Sequence, residues 1–224
     1  MLDFPGALAH PPPMIIAIDG TLASGKGTLA RRISARYGLP HMDTGRLYRA
    51  TAVSALRRGT DFGDSDAMAE VARRLDLGSF DEADLRTPEA GQAASKAAAI
   101  PAVRSALLEL QRTFASQPGG AVLDGRDIGT VICPDADVKL WIDADVRIRA
   151  ERRLTEYLAA GQDWTFEQVV AQLDERDARD RNRLTAPMAQ ATDAVLIDTG
   201  PLTIDEAVER ASAVIDEVRV RRET

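Results

Sequence analysis

Four short apolar runs punctuate the chain, and each closes on an acid. Met14 to Ile18 runs into Asp19, Ala121 to Leu123 into Asp124, and Ala194 to Ile197 into Asp198. Val138 to Ile142 ends at Asp143, interrupted only by Lys139. Continuous apolar runs of this length predict strands buried on both faces of a sheet. Leu39 to Thr44 is a weaker strand candidate. Between the runs lie helical stretches: Thr28 to Tyr37, Thr44 to Arg58 before Gly59, and Val146 to Ala160 before Gly161. Thr165 opens another, with Gln168 three residues on as its capping-box partner. The last begins at Thr203 with Glu206 in the same relation. Its apolar residues Ile204, Ala207, Val208, Ala211, Val214, Ile215 and Val218 recur at helical spacing. Strands alternating with helices predict an α/β fold, a parallel sheet covered on both faces.

The alternation breaks between about Phe62 and Pro118. That stretch is Ala-rich and helical in character, interrupted by Pro88 and Pro101, and "SQPGG" returns the chain to the sheet. It predicts a helical lobe over 62–118 inserted between two strands. The core would then be 14–61 and 119–224, preceded by a loose tail over 1–13.

Composition changes this picture little and excludes several classes. The chain has 224 residues, 45% hydrophobic and 28% charged, enough for one globular core with an inserted lobe. Its net charge of -7 offers no global basic field for a nucleic acid polymer. Of its 28 basic residues only Lys26, Lys96 and Lys139 are lysines. An arginine bias of this kind follows from genome composition or from a need for bidentate phosphate clamps. Cys133 is the single cysteine, so no internal disulfide forms, and one Cys with two His makes a poor zinc set. No apolar run is long enough to span a membrane. The first residues carry three consecutive prolines and no basic region, unlike a secretory signal. A soluble, cytoplasmic monomer is the expectation.

The chemistry begins after the first strand. "GTLASGKGT" fits G-x-x-x-x-G-K with Gly20, Gly25 and Lys26 in place. Backbone N–H groups across Gly20, Thr21, Leu22, Ala23, Ser24, Gly25, Lys26, Gly27 and Thr28 can surround the oxygens of ATP. Lys26 would reach the β- and γ-phosphates. The hydroxyl comes one residue later than in GK[ST], at Thr28, which makes Thr28 the candidate Mg2+ ligand, with Asp124 or Asp19 acting through water. A glycine-rich turn with a solvated lysine is the bland alternative; a strand before and a helix after argue against it. No N-K-x-D element for guanine is present.

The stretches "GTLASGKGT", "DTGRLYR", "RTPEAGQAASKAAAIPAVRSALLELQR", "DGRDIGTVICPDADVKLWIDA" and "ERDARDRNR" occur in this order. Together the chain from Met14 on resembles the bacterial cytidylate kinase family. The resemblance implies a P-loop three-layer fold with a five-stranded parallel sheet, a nucleoside-monophosphate lobe and a short lid, here over 155–165. It implies transfer of the γ-phosphoryl of ATP to CMP or dCMP. It implies that Thr44, Arg49, Ser95, Arg104, Arg126, Asp127 and Asp180 bind CMP. It also implies that Lys26, Arg126, Arg176 and Arg183 serve catalysis by holding phosphates. The chain departs from the family where Thr21-Leu22-Ala23-Ser24 replaces Pro-Ser-Gly-Ala, so that an alanine restricts φ where a glycine is usual. The lobe is also compact before "DLRTPEA".

The chemistry of cytosine fits those residues. Its amino group donates and its N3 and O2 accept, so a carboxylate at Asp127 with donors at Arg104 and Ser95 is complementary. Uracil reverses part of that pattern. Taken alone, Ser95 reads as an ordinary helix residue and Arg104 equally as a surface charge. "DERDARDRNR" reads as a solvated helix laced with ion pairs. Arg176, Asp180 and Arg183 nevertheless stand at i, i+4 and i+7 and would share one helix face. Arg152 and Arg153 are further phosphate candidates, with a solvated helix end as the equal alternative. A kinase for another acceptor and a nucleotide sensor without turnover remain as alternatives.

Overall fold

The computed structural model describes residues 13–224; all of the predicted tail but Pro13 lies outside the described residues. Five strands form one parallel sheet: β1 (Met14–Gly20), β2 (His41–Asp43), β3 (Gly120–Gly125), β4 (Val138–Asp143) and β5 (Val195–Asp198). Their order is β2-β3-β1-β4-β5, so β1 is central, with β3 and β4 as its parallel neighbours. Alternation along β1 separates the two cores. Ile16 and Ile18 face a cluster with Leu29, Ile33, Leu140, Ile142, Ile197 and Ile215. Ala17 faces the other side, with Leu123, Ile128 and Ile132.

The helices stand close to their predicted places. α1 is Lys26–Tyr37 and α2 is Thr44–Arg58, with Asp43 as N-cap, accepting from Arg46 N at 3.2 Å, and Gly59 at φ 67 as its stop. The lobe holds α3 (Ser65–Arg73), α4 (Glu82–Leu85), α5 (Pro88–Ala97) and α6 (Pro101–Ala115). Both prolines that interrupt the sequence pattern open helices, where a missing N–H costs nothing. α7 (Val146–Ala159) and α8 (Phe166–Arg181) pack as a pair, and α9 (Ile204–Glu223) closes the chain. The capping boxes at Thr165–Gln168 and Thr203–Glu206 both form. No described helix is long and apolar enough to cross a membrane.

Three features differ from the sequence pattern. β5 forms as read, but at the sheet edge, where only Ile197 of its four residues is buried. A run that looks like a central strand in sequence can end on the edge, because sequence carries no information on how many neighbours a strand has. The lobe's apolar cluster also crosses residue 62. Leu47, Tyr48, Ala52 and Ala55 of α2 pack with Met68, Val71, Ala94, Val103 and Leu107. A π-helical turn at Ile128–Ile132, directly after "GRD", has no counterpart in the sequence reading.

Candidate active site

Ligands in open α/β sheets bind at the carboxyl ends of strands where the order reverses. Here β1 delivers the glycine loop and β3 delivers Gly125-Arg126-Asp127 to that edge. Gly20 opens the loop at φ 153, and a Cβ there would lie 1.9 Å from the Ile142 carbonyl oxygen, so no other residue fits. Thr21 donates its hydroxyl to Asp143 Oδ1 at 2.6 Å, and Ser24 donates to the Thr21 carbonyl at 3.0 Å. Both hydroxyls are thus spent shaping the loop, and Thr199 ties it down by donating to the Ser24 carbonyl at 2.8 Å. Ala23 takes the left-handed conformation at φ 61, where a glycine would be unstrained. Gly25, at φ 87, turns the chain into α1.

Lys26 is buried and donates to the Thr21 carbonyl at 3.1 Å. Burial, and then the neighbouring Arg126 charge, lower its pKa to about 7. Such a lysine lacks an anionic partner and gains its full charge when one arrives. Thr28 is exposed at the head of α1, its hydroxyl accepting from Arg31 Nη2 at 3.1 Å.

Two cavities meet at this loop. One, of about 450 Å³, is lined by Ser24 to Leu29, Arg152, Arg153 and the first turn of α9. The other, of about 560 Å³, is lined by Lys26, Thr44, Arg49, Ser95, Arg104, Arg126, Asp127, Arg176, Asp180 and Arg183. Leu22, Lys26, Gly27, Arg31, Arg153 and Glu156 border both. Every residue predicted for the acceptor side therefore comes to one wall.

Their contacts are specific. Thr44 donates to the Asp124 carbonyl at 2.8 Å, and Arg49 donates to Asp43 Oδ2 at 2.5 Å. Ser95 donates to Asp180 Oδ1 at 3.4 Å, while Arg126 Nε donates to Asp180 Oδ2 at 3.2 Å. Burial raises the pKa of Asp180, but Arg126, Arg176 and Arg183 outweigh it, and the net shift is downward. Arg104 pairs with Asp127 Oδ2 in a buried contact, and Arg183 Nη2 lies 3.9 Å from Asp127 Oδ1. Burial raises the pKa of Asp127 against the pull of those two arginines. Arg176 Nε and Arg183 Nε and Nη2 are buried with no hydrogen-bond partner. Burial lowers the Arg176 pKa to about 10, with Arg126 adding to the effect. Buried cations left short of partners mark a wall built for an anion that the protein does not itself supply.

Two sequence expectations change. α8 stops at Arg181, so Arg183 reaches the cavity from the following loop and not from one face shared with Arg176 and Asp180. Arg152 is occupied, donating to the Thr199 carbonyl at 2.7 Å and to its hydroxyl at 3.2 Å. Its neighbour Arg153 keeps an unpartnered buried Nε and borders both cavities. Arg31 went unmarked in the sequence; its one signal is its place a turn beyond Thr28 on α1.

A hard cation fits beside this loop through oxygen donors. Thr28 offers an exposed hydroxyl. Asp124 uses Oδ1 on His41 Nε2 at 2.7 Å, while its Oδ2 lies 3.7 Å from the position of a Cβ on Gly27 and faces the loop. Asp19 is already engaged by backbone amides, and Asp124 is the freer of the two. Its two oxygens accept from Ile128 N and Gly129 N, both at 2.8 Å.

Comparison with known proteins decides the family. Residues 16–217 match the family model described as cytidylate kinase. The chain belongs to the cytidylate kinase family. The cytidylate kinase of Xanthobacter autotrophicus is 54% identical over 93% of this chain and 100% of its own length. That of Bradyrhizobium sp. is 52% identical over 94% and 99%, and that of Caulobacter vibrioides 50% identical over 92% and 97%. Among solved structures, an uncharacterized protein from Eubacterium ventriosum is similar with a TM-score of 0.53 at 15% identity, covering 91% of this chain and 98% of that one. That likeness carries the fold alone. For a cytidylate kinase family member, two cavities joined at a lysine-bearing loop are the space that a phosphoryl donor and acceptor require.

Proposed function

We propose that this protein transfers the γ-phosphoryl group of ATP to CMP or dCMP, giving ADP and CDP or dCDP. Membership of the cytidylate kinase family and relatives of that name at 50–54% identity support the reaction. One observation carries the division of labour: two cavities share a common border that includes Lys26, Gly27, Arg31 and Arg153.

In this reading ATP lies along the glycine loop, with the amides of Gly20 to Thr28 around its phosphates. CMP lies in the larger cavity. Asp127, Arg104 and Ser95 meet the cytosine edge, Asp180 the ribose, and Thr44, Arg49 and Arg126 the phosphate. Lys26, Arg126, Arg176 and Arg183 gather around the transferring group. Phosphoryl transfer asks a protein chiefly for alignment and positive charge. The acceptor oxygen is already anionic, so no strong base is needed. Thr28, with Asp124 behind it, would hold Mg2+, which neutralises phosphate charge when bound. Closure of the lid at 155–165, the last turn of α7 and its connection to α8, over the shared border would exclude water as a rival acceptor. The reading extends to a monomer acting in the cytoplasm.

The deciding experiment is ADP formation from ATP with a panel of nucleoside monophosphates. CMP and dCMP should dominate. Turnover led by UMP or AMP would replace the acceptor, and ATP binding without ADP formation would replace the enzyme by a sensor.

A further inference from the structure

The glycine loop is strained at Ala23, and two buried charges meet it one residue earlier. A non-glycine residue holds a left-handed conformation only where its surroundings fix it. Here the surroundings are explicit. Arg149, on α7, donates Nη1 to the Leu22 carbonyl at 3.0 Å and Nε to the Ala144 carbonyl at 2.9 Å. The same Nη1 lies 2.8 Å from Oδ2 of Asp177 on α8. Asp177 Oδ1 in turn lies 3.5 Å from Leu22 N. Arg149 and Asp177 are 4% and 1% exposed. Opposite members of one desolvated ion pair therefore hold the carbonyl and the amide of a single loop residue. Among the described residues the one other cation within 4.0 Å of Asp177 is Arg181, at 4.0 Å and largely exposed. Leu22 and Ala23 complete the seat by packing on Ala150, Tyr157, Val169 and Leu173 of the same two helices.

A buried ion pair is a weak device for stability alone, because desolvation offsets most of the attraction. This pair touches the one strained segment of the phosphate loop. Its Asp177 also sits on α8 between Arg176 and Asp180, which line the acceptor cavity. One helix thus fixes the donor loop from one side and the acceptor wall from the other.

We propose that Arg149 and Asp177 are positioning residues for the phosphoryl donor: they set the Leu22 peptide, and through it the amides of Ser24 to Thr28, in register with the acceptor wall. The proposal rests on the reading that this loop holds the phosphates of ATP. Neither residue touches substrate.

The test compares wild type with Asp177→Asn, Arg149→Lys and the double variant Arg149→Met/Asp177→Leu. The single variants leave a buried charge or a misfit fork and lose thermal stability. The double variant removes both charges and should melt near wild type, because apolar replacement of a buried pair is often neutral. Its KM for ATP should rise and its kcat/KM for ATP fall about 10- to 100-fold, as for small misplacements of reacting groups. Its KM for CMP should not move, and a given ATP concentration should raise its melting temperature less than that of wild type. A folded double variant with the wild-type KM for ATP overturns the proposal. So does failure of every variant to fold, which would make the pair a folding element. Wild type that binds ATP but forms no ADP with any acceptor would instead overturn the kinase reading. The smaller ATP-induced stabilisation in the double variant would still decide the clamp.

Discussion

Asp127 and Arg104 form a buried ion pair that joins the end of β3 to helix α6, with 7% and 6% of their side chains exposed. Asp127 does not pair with its neighbour Arg126, whose guanidinium turns to Asp180. The carboxylate therefore sits among Arg104, Arg183 and the cavity. Asp127→Asn keeps the shape but replaces one acceptor oxygen by a donor. It should lower kcat/KM for CMP relative to UMP by about 5- to 150-fold, the equivalent of roughly 1–3 kcal/mol for one mismatched buried hydrogen bond. Steady-state kinetics with both acceptors at saturating ATP give the ratio. Equal losses for CMP and UMP would mean that the pair supports the fold of the site without reading the base.

Lys26 is the charged residue of the loop that borders both cavities. Lys26→Ala should cost about 10²–10³ in kcat, the usual loss for one preorganised transition-state donor. Its circular dichroism and melting temperature should stay close to wild type, since the ammonium makes one hydrogen bond among the described residues, to the Thr21 carbonyl. Near-normal turnover by the folded variant would remove Lys26 from the mechanism.

Thr28 should matter through its oxygen. Thr28→Val keeps the size and removes the hydroxyl, and should raise the Mg2+ concentration needed for half-maximal rate. Excess chelator should abolish turnover of wild type. Activity that persists in chelator would exclude the metal, and an unchanged Mg2+ dependence in the variant would move the ligand elsewhere.

Ala23 offers a stability prediction of opposite sign to most substitutions. A left-handed L-residue costs roughly 1–2 kcal/mol. Glycine relieves that but adds unfolded-chain entropy worth about 0.4–1 kcal/mol. Ala23→Gly should therefore stabilise the protein by about 0.5–1 kcal/mol in urea denaturation. Destabilisation would show that the conformation at φ 61 is not strained.

Cys133 is 8% exposed, and burial pushes its thiol up to about 11. The thiolate is the reactive form, so the native protein at pH 8 should react with a thiol reagent far more slowly than the same chain in denaturant. Equal rates measured by absorbance would show that the π-helical turn beside it opens readily.

Much of the molecule is local and so was legible in the residues themselves. The apolar runs define the strands, and Gly59, Thr165–Gln168 and Thr203–Glu206 set helix ends through groups only a few residues apart. The phosphate loop is a single contiguous motif followed by its own helix. The residues proposed for the acceptor were legible only as a family pattern, because Ser95, Arg104, Asp127 and Asp180 lie on four separate segments and none is distinctive alone.

Sequence by itself determined the strands, the helices of the core, the loop and the family. Tertiary structure alone decided which charges meet. "DERDARDRNR" reads equally well as a solvated helix, yet Asp177, buried against Arg149, turns to the phosphate loop, while Asp180 turns to Arg126 and the acceptor cavity. Asp19 and Asp124 both end apolar strands, but Asp19 accepts from the amides of Ile128 and Gly129, whereas Asp124 keeps an oxygen toward the loop. The reason is physical. Backbone conformation answers to neighbours along the chain, whereas the partner of a charge is set by the sheet order and by the helix packing that buries it.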